Sequence, residues 1–353
     1  MKFSLKDNEE KKLLSLFNQH EANLDYIFAL IDLFNLNKSP LDKKTQESLE
    51  GKSDYEKKEA LFNKLEVIYA NRSDFVKKNI RWETSVLNAD HFKNNPYLKT
   101  LNNLSFKEKG WTLSNEKREA YVLCPYDEEY PYGANYSLKM AIGMFSKDYI
   151  YPSIKLYDTE WMSLNQHEMR TMETPIALAK GKVLTLGLGL GYYAYMVSNK
   201  EEVKEVHIVE MDLELINLFN KYLLPLFPHK EKIHIHKADA FYFIENIKDK
   251  DYDFIFSDLW HNVSDGVSSY LKLKKHFYSF KYTKCTYWIE DSILSYLRLL
   301  VIGVIKDEYY HNDNEYDDIQ IFIKERLRDY EFKDSHDIDN LLCLKGMNNL
   351  FFN

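Results

Sequence analysis

The pattern of apolar and polar positions divides the chain into three regions. In the first hundred residues, apolar side chains recur at i, i+3 and i+4, a spacing that predicts amphipathic helices. One such stripe consists of Leu24, Ile27, Phe28, Ile31 and Phe34. Glycine, which weakens helices, is nearly absent from this region. We therefore expect a helical N-terminal domain over residues 1–105.

The pattern changes over residues 106–164. Short runs of aromatic and β-branched residues, such as Tyr149-Ile150-Tyr151, are separated by the turn-forming residues Pro125, Pro131 and Gly133. Runs of this kind, bounded by turn residues, are typical of short strands. We expect a small β-rich segment that connects the N-terminal helices to the rest of the chain.

From Lys182 onward, strands and helices are predicted to alternate. Five short apolar runs lie at 183–186, 206–209, 233–235, 254–256 and 286–289. Continuous apolar runs are typical of strands buried on both faces, and their alternation with helices favours a parallel sheet. The predicted fold class is therefore α/β: residues 165–353 form a Rossmann-like, doubly wound, mainly parallel sheet that ends in a helical tail. A helix over 165–179, interrupted at Pro175, precedes the first strand.

Composition and charge exclude several classes of protein. The 353 residues suffice for a core domain with an appendage, and the formal net charge of −8 argues against a general nucleic-acid-binding protein. No apolar run approaches the roughly 18–20 residues of a membrane helix, and the first residues lack the apolar core of a signal peptide. The cysteines Cys124, Cys285 and Cys343 are far apart, which favours reduced thiols. We expect a cytoplasmic protein.

Glycine is concentrated at one point of the chain. Gly187, Gly189 and Gly191 directly follow the first predicted strand and precede a helix. Glycines in such a turn let a ligand approach the main chain, and the start of the helix offers unpaired N–H groups. This position therefore predicts a ligand-binding turn.

Acidic residues follow the next three predicted strands. Glu210 lies nineteen residues after Gly191, close to the offset at which an acid binds ribose hydroxyls. Asp239, beside Ala240, ends the third strand and Asp258 ends the fourth. Because ligands bind at the carboxyl edge of open α/β sheets, we expect these acids to surround one site.

These residues, from Val183 to Asp258, resemble the class I S-adenosylmethionine (SAM)-dependent methyltransferase superfamily. The resemblance implies SAM as cofactor, with its methionine part held by the turn at Gly187, Gly189 and Gly191. It also implies that Glu210 binds the ribose hydroxyls and that Met211 packs on the adenine. Asp239 with Ala240 would meet the adenine edge.

The function that follows is a SAM-dependent methyltransferase acting on a small molecule, with a cationic amine as one candidate. Asp258 and His261 are the candidate bases. Trp260, Glu290 and Asp291 are candidate substrate-binding residues, because acids and aromatic rings suit a cation. The enzyme would act chiefly by aligning acceptor and donor.

Two departures from the superfamily pattern keep alternatives open. Thr185 stands where an acid is common, a feature shared with the spermidine synthase-like branch, which the β-rich segment also resembles. That branch, however, usually carries a second aspartate three residues after the first, where this chain has His261. An aminopropyltransferase using decarboxylated SAM and a non-catalytic SAM- or nucleotide-binding protein are the alternatives. The stretch Gly189–Ala194 also fits a dinucleotide fingerprint and would suit an NAD-dependent oxidoreductase.

Metal and partner sites are less clearly marked. His234 and His236 share one face of a predicted strand, but the sequence places no third ligand, and we expect no metal. The N-terminal region is expected to pack on the core or to mediate self-association as a homodimer. No nucleic acid or membrane partner is predicted.

Overall fold

The computed structural model describes residues 1–133 and 135–353. Helices form most of the first hundred residues, as the sequence predicts. Their bounds are α1 (Asp7–Phe34), α2 (Lys43–Ser48), α3 (Asp54–Tyr69), α4 (Asp74–Glu83), α5 (Ala89–Lys93) and α6 (Pro96–Leu101). The N-terminus of α3 has a capping box, in which the side chains of Ser53 and Glu56 each accept a hydrogen bond from the other residue's backbone N–H.

The face that α1 buries differs from the predicted stripe. Phe28 and Ile31 are 57% and 49% exposed, whereas Tyr26 and Leu30 are buried in a core shared with α3 and α4. The apolar residues of α1 are spread over more of the helix surface than a single stripe covers. The neighbouring helices therefore decide which face is covered.

The β-rich segment forms two small sheets. Strands β1 and β2 lie earlier in the chain. The bounds are β1 (Lys2–Phe3), β2 (Thr84–Leu87), β3 (Phe106–Glu108), β4 (Trp111–Arg118), β5 (Leu123–Tyr132), β6 (Ser137–Phe145), β7 (Tyr149–Leu156) and β8 (Thr159–Ser163). One sheet has the order β3-β4-β7-β8 and is antiparallel, and the other has the order β2-β6-β5. Strand β8 ends beside the glycine turn, since Met162 contacts the Leu190 N–H.

The core is a five-stranded, fully parallel sheet, which confirms the predicted α/β fold. Its strands are β9 (Gly181–Leu186), β10 (Val203–Glu210), β11 (Ile233–Lys237), β12 (Phe254–Ser257) and β13 (Lys284–Tyr287), in the order β11-β10-β9-β12-β13. Strand β9 lies between β10 and β12. The chain adds β10 and β11 on one side of β9 and then crosses over to add β12 and β13 on the other side. A crevice for ligands opens at such a switch point, at the carboxyl ends of the strands.

Helices before, between and after these strands complete the fold. Their bounds are α7 (Gln166–Thr171), α8 (Glu173–Leu178), α9 (Tyr192–Ser198), α10 (Leu213–Leu218), α11 (Ala240–Ile244), α12 (Val263–Phe277), α13 (Glu290–Tyr310), α14 (Asp318–Arg326), α15 (Ser335–Leu342) and α16 (Leu344–Phe352). The predicted break near Pro175 falls instead at Met172, because proline is tolerated in the first turn of α8. The short strand β14 (Glu331–Phe332) interrupts the helical tail and pairs with β1.

Within the described residues, no helix has both the length and the apolar character needed to cross a membrane. The three cysteines are free thiols: Cys124 is buried, Cys285 is half-buried and Cys343 is exposed.

Candidate active site at the carboxyl edge of the sheet

The glycine turn after β9 follows a path that only glycine tolerates easily. Gly187, Gly189 and Gly191 have φ angles of 100°, 50° and 76°, all in the left-handed region. A Cβ at Gly187 would clash with the Asp258 carbonyl oxygen, and one at Gly189 with the Met162 sulfur. These two glycines line a large cavity.

Gly191 has a different role from the one predicted. It is the N-cap residue of α9 and does not line the cavity, and a Cβ there would meet the Phe219 ring. Its small size therefore serves the packing of α9 against Phe219.

Glu210, at the end of β10, ties this turn to the next loop. Its carboxylate accepts the Leu188 N–H at 3.3 Å on one oxygen and the Asp212 N–H at 2.8 Å on the other. Each carboxylate oxygen has a second lone pair, so both remain able to accept a hydroxyl. Burial raises the pKa of Glu210 above its ordinary value. Glu210 thus lies in the cavity wall, as the sequence predicts.

Residues after β10 and β11 form the neighbouring wall. Met211, Asp239 and Ala240 all line the cavity. The Met211 side chain is 66% exposed, and Asp239 accepts the Tyr242 N–H at 3.0 Å as the N-cap of α11. The structure thus brings these three predicted residues together with Gly187 and Glu210.

The cavity has a volume of about 980 Å³ and a marked charge pattern. Seven carboxylates line it: Glu129, Glu160, Glu168, Glu210, Asp212, Asp239 and Asp258. Aromatic rings contribute as well, namely Trp161, Phe241, Trp260 and Trp288. In the described part of the chain, no lysine or arginine lines this cavity. The cavity therefore suits a cationic ligand.

Asp258, which directly follows β12, lines this cavity. Its backbone N–H donates to the Leu186 carbonyl at 2.9 Å, which fixes it beside the glycine turn. The surrounding protein raises the pKa of Asp258 from 3.8 to about 7, because burial disfavours the charged form. A carboxylate with this pKa is well suited to accept a proton near neutral pH.

His261 and Trp260 lie on the loop that follows Asp258. The protonated Nδ1 of the His261 ring donates to the Asp265 carboxylate at 3.1 Å, and the His261 side chain is 58% exposed. Trp260 is buried, and its indole N–H has no hydrogen-bond partner in the described residues. Both residues line the cavity, with His261 near its mouth and edge-on to Trp161 at 6.0 Å between ring centroids.

Three cavity residues were not anticipated from the sequence. Glu168 on α7 is half-buried, and burial first, then the charges of Asp258 and Glu160, hold its pKa well above the ordinary value. Burial raises the pKa of Glu129 on β5 to about 7 and lowers that of His167 to about 4. No local pattern distinguishes these residues from other acids and histidines. Only the docking of β5 and α7 onto the sheet brings them into the cavity that Asp258 also lines.

Glu290 and Asp291 are not where the sequence placed them. Neither lines the large cavity; both face a smaller one beside α12 and α13. The strand β13 ends at Tyr287, and Ile289 then turns the chain with a φ of 47°. Glu290 consequently accepts a hydrogen bond from Tyr270 at 2.9 Å and pairs with Lys274.

Comparison with known proteins gives a partial match. Residues 166–293 match the family model of the spermine/spermidine synthase domain. Among solved structures, the chain is similar to spermidine synthase from Thermotoga maritima, with 16% identity and a TM-score of 0.32. That likeness covers 42% of this chain and 55% of the other, so the chain spans about half the length of that protein. No curated protein matches the sequence.

The family match corrects one expectation. The spermidine synthase family points to aminopropyl transfer, so the prediction of a SAM-dependent methyltransferase is wrong. The predicted SAM cofactor is likewise only related to the compound that this family uses, decarboxylated SAM, which is a substrate. Of the alternatives that the sequence leaves open, the family match favours the spermidine synthase-like aminopropyltransferase.

Proposed function

We propose that the protein is an aminopropyltransferase that moves the aminopropyl group of decarboxylated SAM to an amine. The observation that carries this proposal is the cavity lined by seven carboxylates and, among the described residues, by no lysine or arginine. Decarboxylated SAM has a sulfonium and an ammonium group but no carboxylate, and an amine acceptor is also cationic in water. SAM itself would bring its carboxylate into an acidic wall, which costs free energy.

The donor fits the wall formed by the glycine turn and Glu210. Gly187 and Gly189 leave room for close approach to the main chain, and Glu210 has lone pairs for two ribose hydroxyls. Asp239 and Met211 lie where the adenine would follow. The decarboxylated donor would thus be bound by the residues that the sequence predicts for the cofactor, except Gly191.

The acceptor fits the acidic part of the cavity. Asp258, Glu168 and Glu129 surround it from β12, α7 and β5. The sequence pattern lacked a second aspartate because His261 stands in its position. In our proposal Glu168 and Glu129, from other parts of the chain, bind the positive charge that this aspartate would otherwise bind. A bound ammonium would in turn lower the pKa of these acids and stabilise their charged forms.

The transfer itself needs a base and alignment. The acceptor nitrogen forms a bond to the aminopropyl carbon next to sulfur, and the carbon–sulfur bond breaks with its electron pair going to sulfur, which becomes a neutral thioether. Before this attack, Asp258 takes a proton from the acceptor ammonium, which frees the nitrogen lone pair, and then passes that proton to water. In the ligand-free protein this base has a pKa of about 7, which suits proton transfer near neutral pH, and the cavity holds both reactants in line.

The test is a reaction of the purified protein with decarboxylated SAM and a panel of diamines and polyamines. Mass spectrometry should find methylthioadenosine and an amine heavier by one aminopropyl group, and calorimetry should show decarboxylated SAM binding more tightly than SAM. Tighter binding of SAM than of its decarboxylated form would overturn the proposal. So would binding of the donor without product from any amine of the panel.

A further inference from the structure

We propose a site for a divalent transition metal, with Zn²⁺ as the probe, made by Glu205, His207 and His234 on strands β10 and β11. One ligand atom from each of these residues lies within 4.8 Å of the other two. The site is independent of the proposed transferase activity. Its residues do not line the large cavity, although β10 also carries Glu210.

Strand pairing brings the three residues together. His207 and His234 are direct partners in the parallel register of β10 and β11, and their ring centroids are 4.9 Å apart. Glu205 lies two residues before His207, so its side chain projects from the same face of the sheet. The sequence alone offered His234 and His236 without a third ligand. The register adds His207 and Glu205.

The closest ligand pair already has the spacing of a metal site. Glu205 Oε2 lies 3.1 Å from His207 Nε2. Two ligands on a tetrahedral Zn²⁺ with bonds of about 2.0–2.1 Å are separated by about 3.3 Å. His234 is exposed, so its ring can rotate toward the same point. Two imidazoles and one carboxylate form a common protein ligand set for Zn²⁺, with water as the fourth ligand.

A fourth residue holds His207 in place. The other ring nitrogen of His207, Nδ1, lies 2.8 Å from His236 Nε2, and the two rings stack 5.1 Å apart. When Nδ1 carries the proton and donates to His236, Nε2 presents its lone pair to the metal. Metal-binding histidines typically have such a partner on their second nitrogen.

One cation competes for this position. Lys182 Nζ lies 3.9 Å from Glu205 Oε2 and 5.0 Å from the centre of the Tyr252 ring. Its side chain is 41% exposed, so it can move into water when a metal ion binds. We therefore expect that Lys182→Ala tightens metal binding. If the Lys182–Glu205 pair were purely structural, the substitution would lower the stability of the protein and leave metal binding unchanged.

The experiment titrates the untagged, full-length protein with Zn²⁺ alone, in competition with a chromophoric chelator. We expect one Zn²⁺ per chain and a rise in Tm when Zn²⁺ is present. His207→Ala and His234→Ala should abolish both effects, and His236→Phe, which keeps the stacking, should weaken binding by about 10–100-fold. His229→Ala is the matched control, because His229 pairs with Glu231 at 3.4 Å and is not part of the three-residue cluster.

Substitution of Co²⁺ tests the ligand set directly. The visible spectrum should be that of four-coordinate cobalt with nitrogen and oxygen ligands, without a thiolate band from a cysteine. Unchanged Zn²⁺ binding in His207→Ala, or no saturable binding by the unmodified protein, would overturn the proposal. Circular dichroism of each variant separates a lost ligand from a lost fold.

Discussion

Glu168 and Asp258 line the same cavity, although the two residues belong to α7 and to the loop after β12 and are far apart in the chain. Burial and the charge of Asp258 both raise the pKa of Glu168. Two half-buried acids that line one cavity resist ionising together, unless a cation lies between them. A bound ammonium group would therefore stabilise the charged forms of both acids, as expected for the proposed amine substrate.

Replacement of Asp258 should separate chemistry from binding. Asp258→Asn keeps the shape of the side chain but removes the base, so we expect turnover to fall by about 10²–10⁴-fold. Binding of decarboxylated SAM should change little. Glu290→Gln is the control: this acid lies outside the cavity and should leave turnover near its normal value. Steady-state kinetics and calorimetry measure the two effects. Equal turnover in Asp258→Asn and the unmodified protein would exclude Asp258 as the base.

His261 should matter much less than Asp258. Its side chain is 58% exposed and is already held by Asp265, so it lies at the mouth of the cavity. We expect His261→Ala to reduce turnover less than about tenfold, in keeping with a positioning role. A rate profile against pH should still rise through about pH 7 in this variant, because Asp258 remains. Loss of that rise in His261→Ala would assign the base to the histidine instead.

Glu129 should make the ligand-free protein less stable as pH rises. Its pKa increases from 4.5 in the unfolded chain to about 7 in the folded protein, because burial disfavours its charge. Between these values the folded state binds more protons than the unfolded chain, so the free energy of unfolding falls with rising pH. Glu129→Gln removes this loss and should be more stable than the unmodified protein at pH 8, by up to about 3 kcal/mol.

The pH comparison requires urea denaturation of both proteins at several pH values. The advantage of Glu129→Gln should grow between about pH 4.5 and 7 and then level off. A constant difference at all pH values would show that Glu129 is not held in its neutral form. Saturating amine should reduce the advantage, since a bound cation stabilises the ionised acid.

The glycine turn should tolerate no side chain at its first position. Gly187→Ala puts a Cβ against the Asp258 carbonyl at a φ of 100°, so we expect a loss of several kcal/mol in stability and loss of donor binding. Gly51→Ala is the matched control, with a φ of 71° and nothing within 4 Å of the added Cβ. It should cost only about 1 kcal/mol. Similar losses in both variants would mean that backbone strain alone, not the close approach, requires Gly187.

Much of the sheet domain was predictable from the sequence, because its signals are local. The apolar runs identify β9 to β13, and the glycines after β9 mark a turn, in which Gly187 and Gly189 adopt the left-handed backbone that glycine tolerates easily. Glu210 and Asp258 follow their strands directly, so the parallel arrangement alone brings them to one edge. The same reasoning places Glu290 at this edge, but Glu290 lies outside the cavity because the chain turns at Ile289, two residues after β13.

The sequence by itself determined the alternation of strands and helices, the tight turn and the acids at the strand ends, since each depends only on neighbouring residues. The tertiary structure decided what the site contains. Strand order and the docking of β5 and α7 bring Glu129 and Glu168 into the cavity that Asp258 lines, and the register of β10 and β11 places His207 beside His234. Contacts between distant segments depend on how whole elements pack, and no local pattern of residues records that packing.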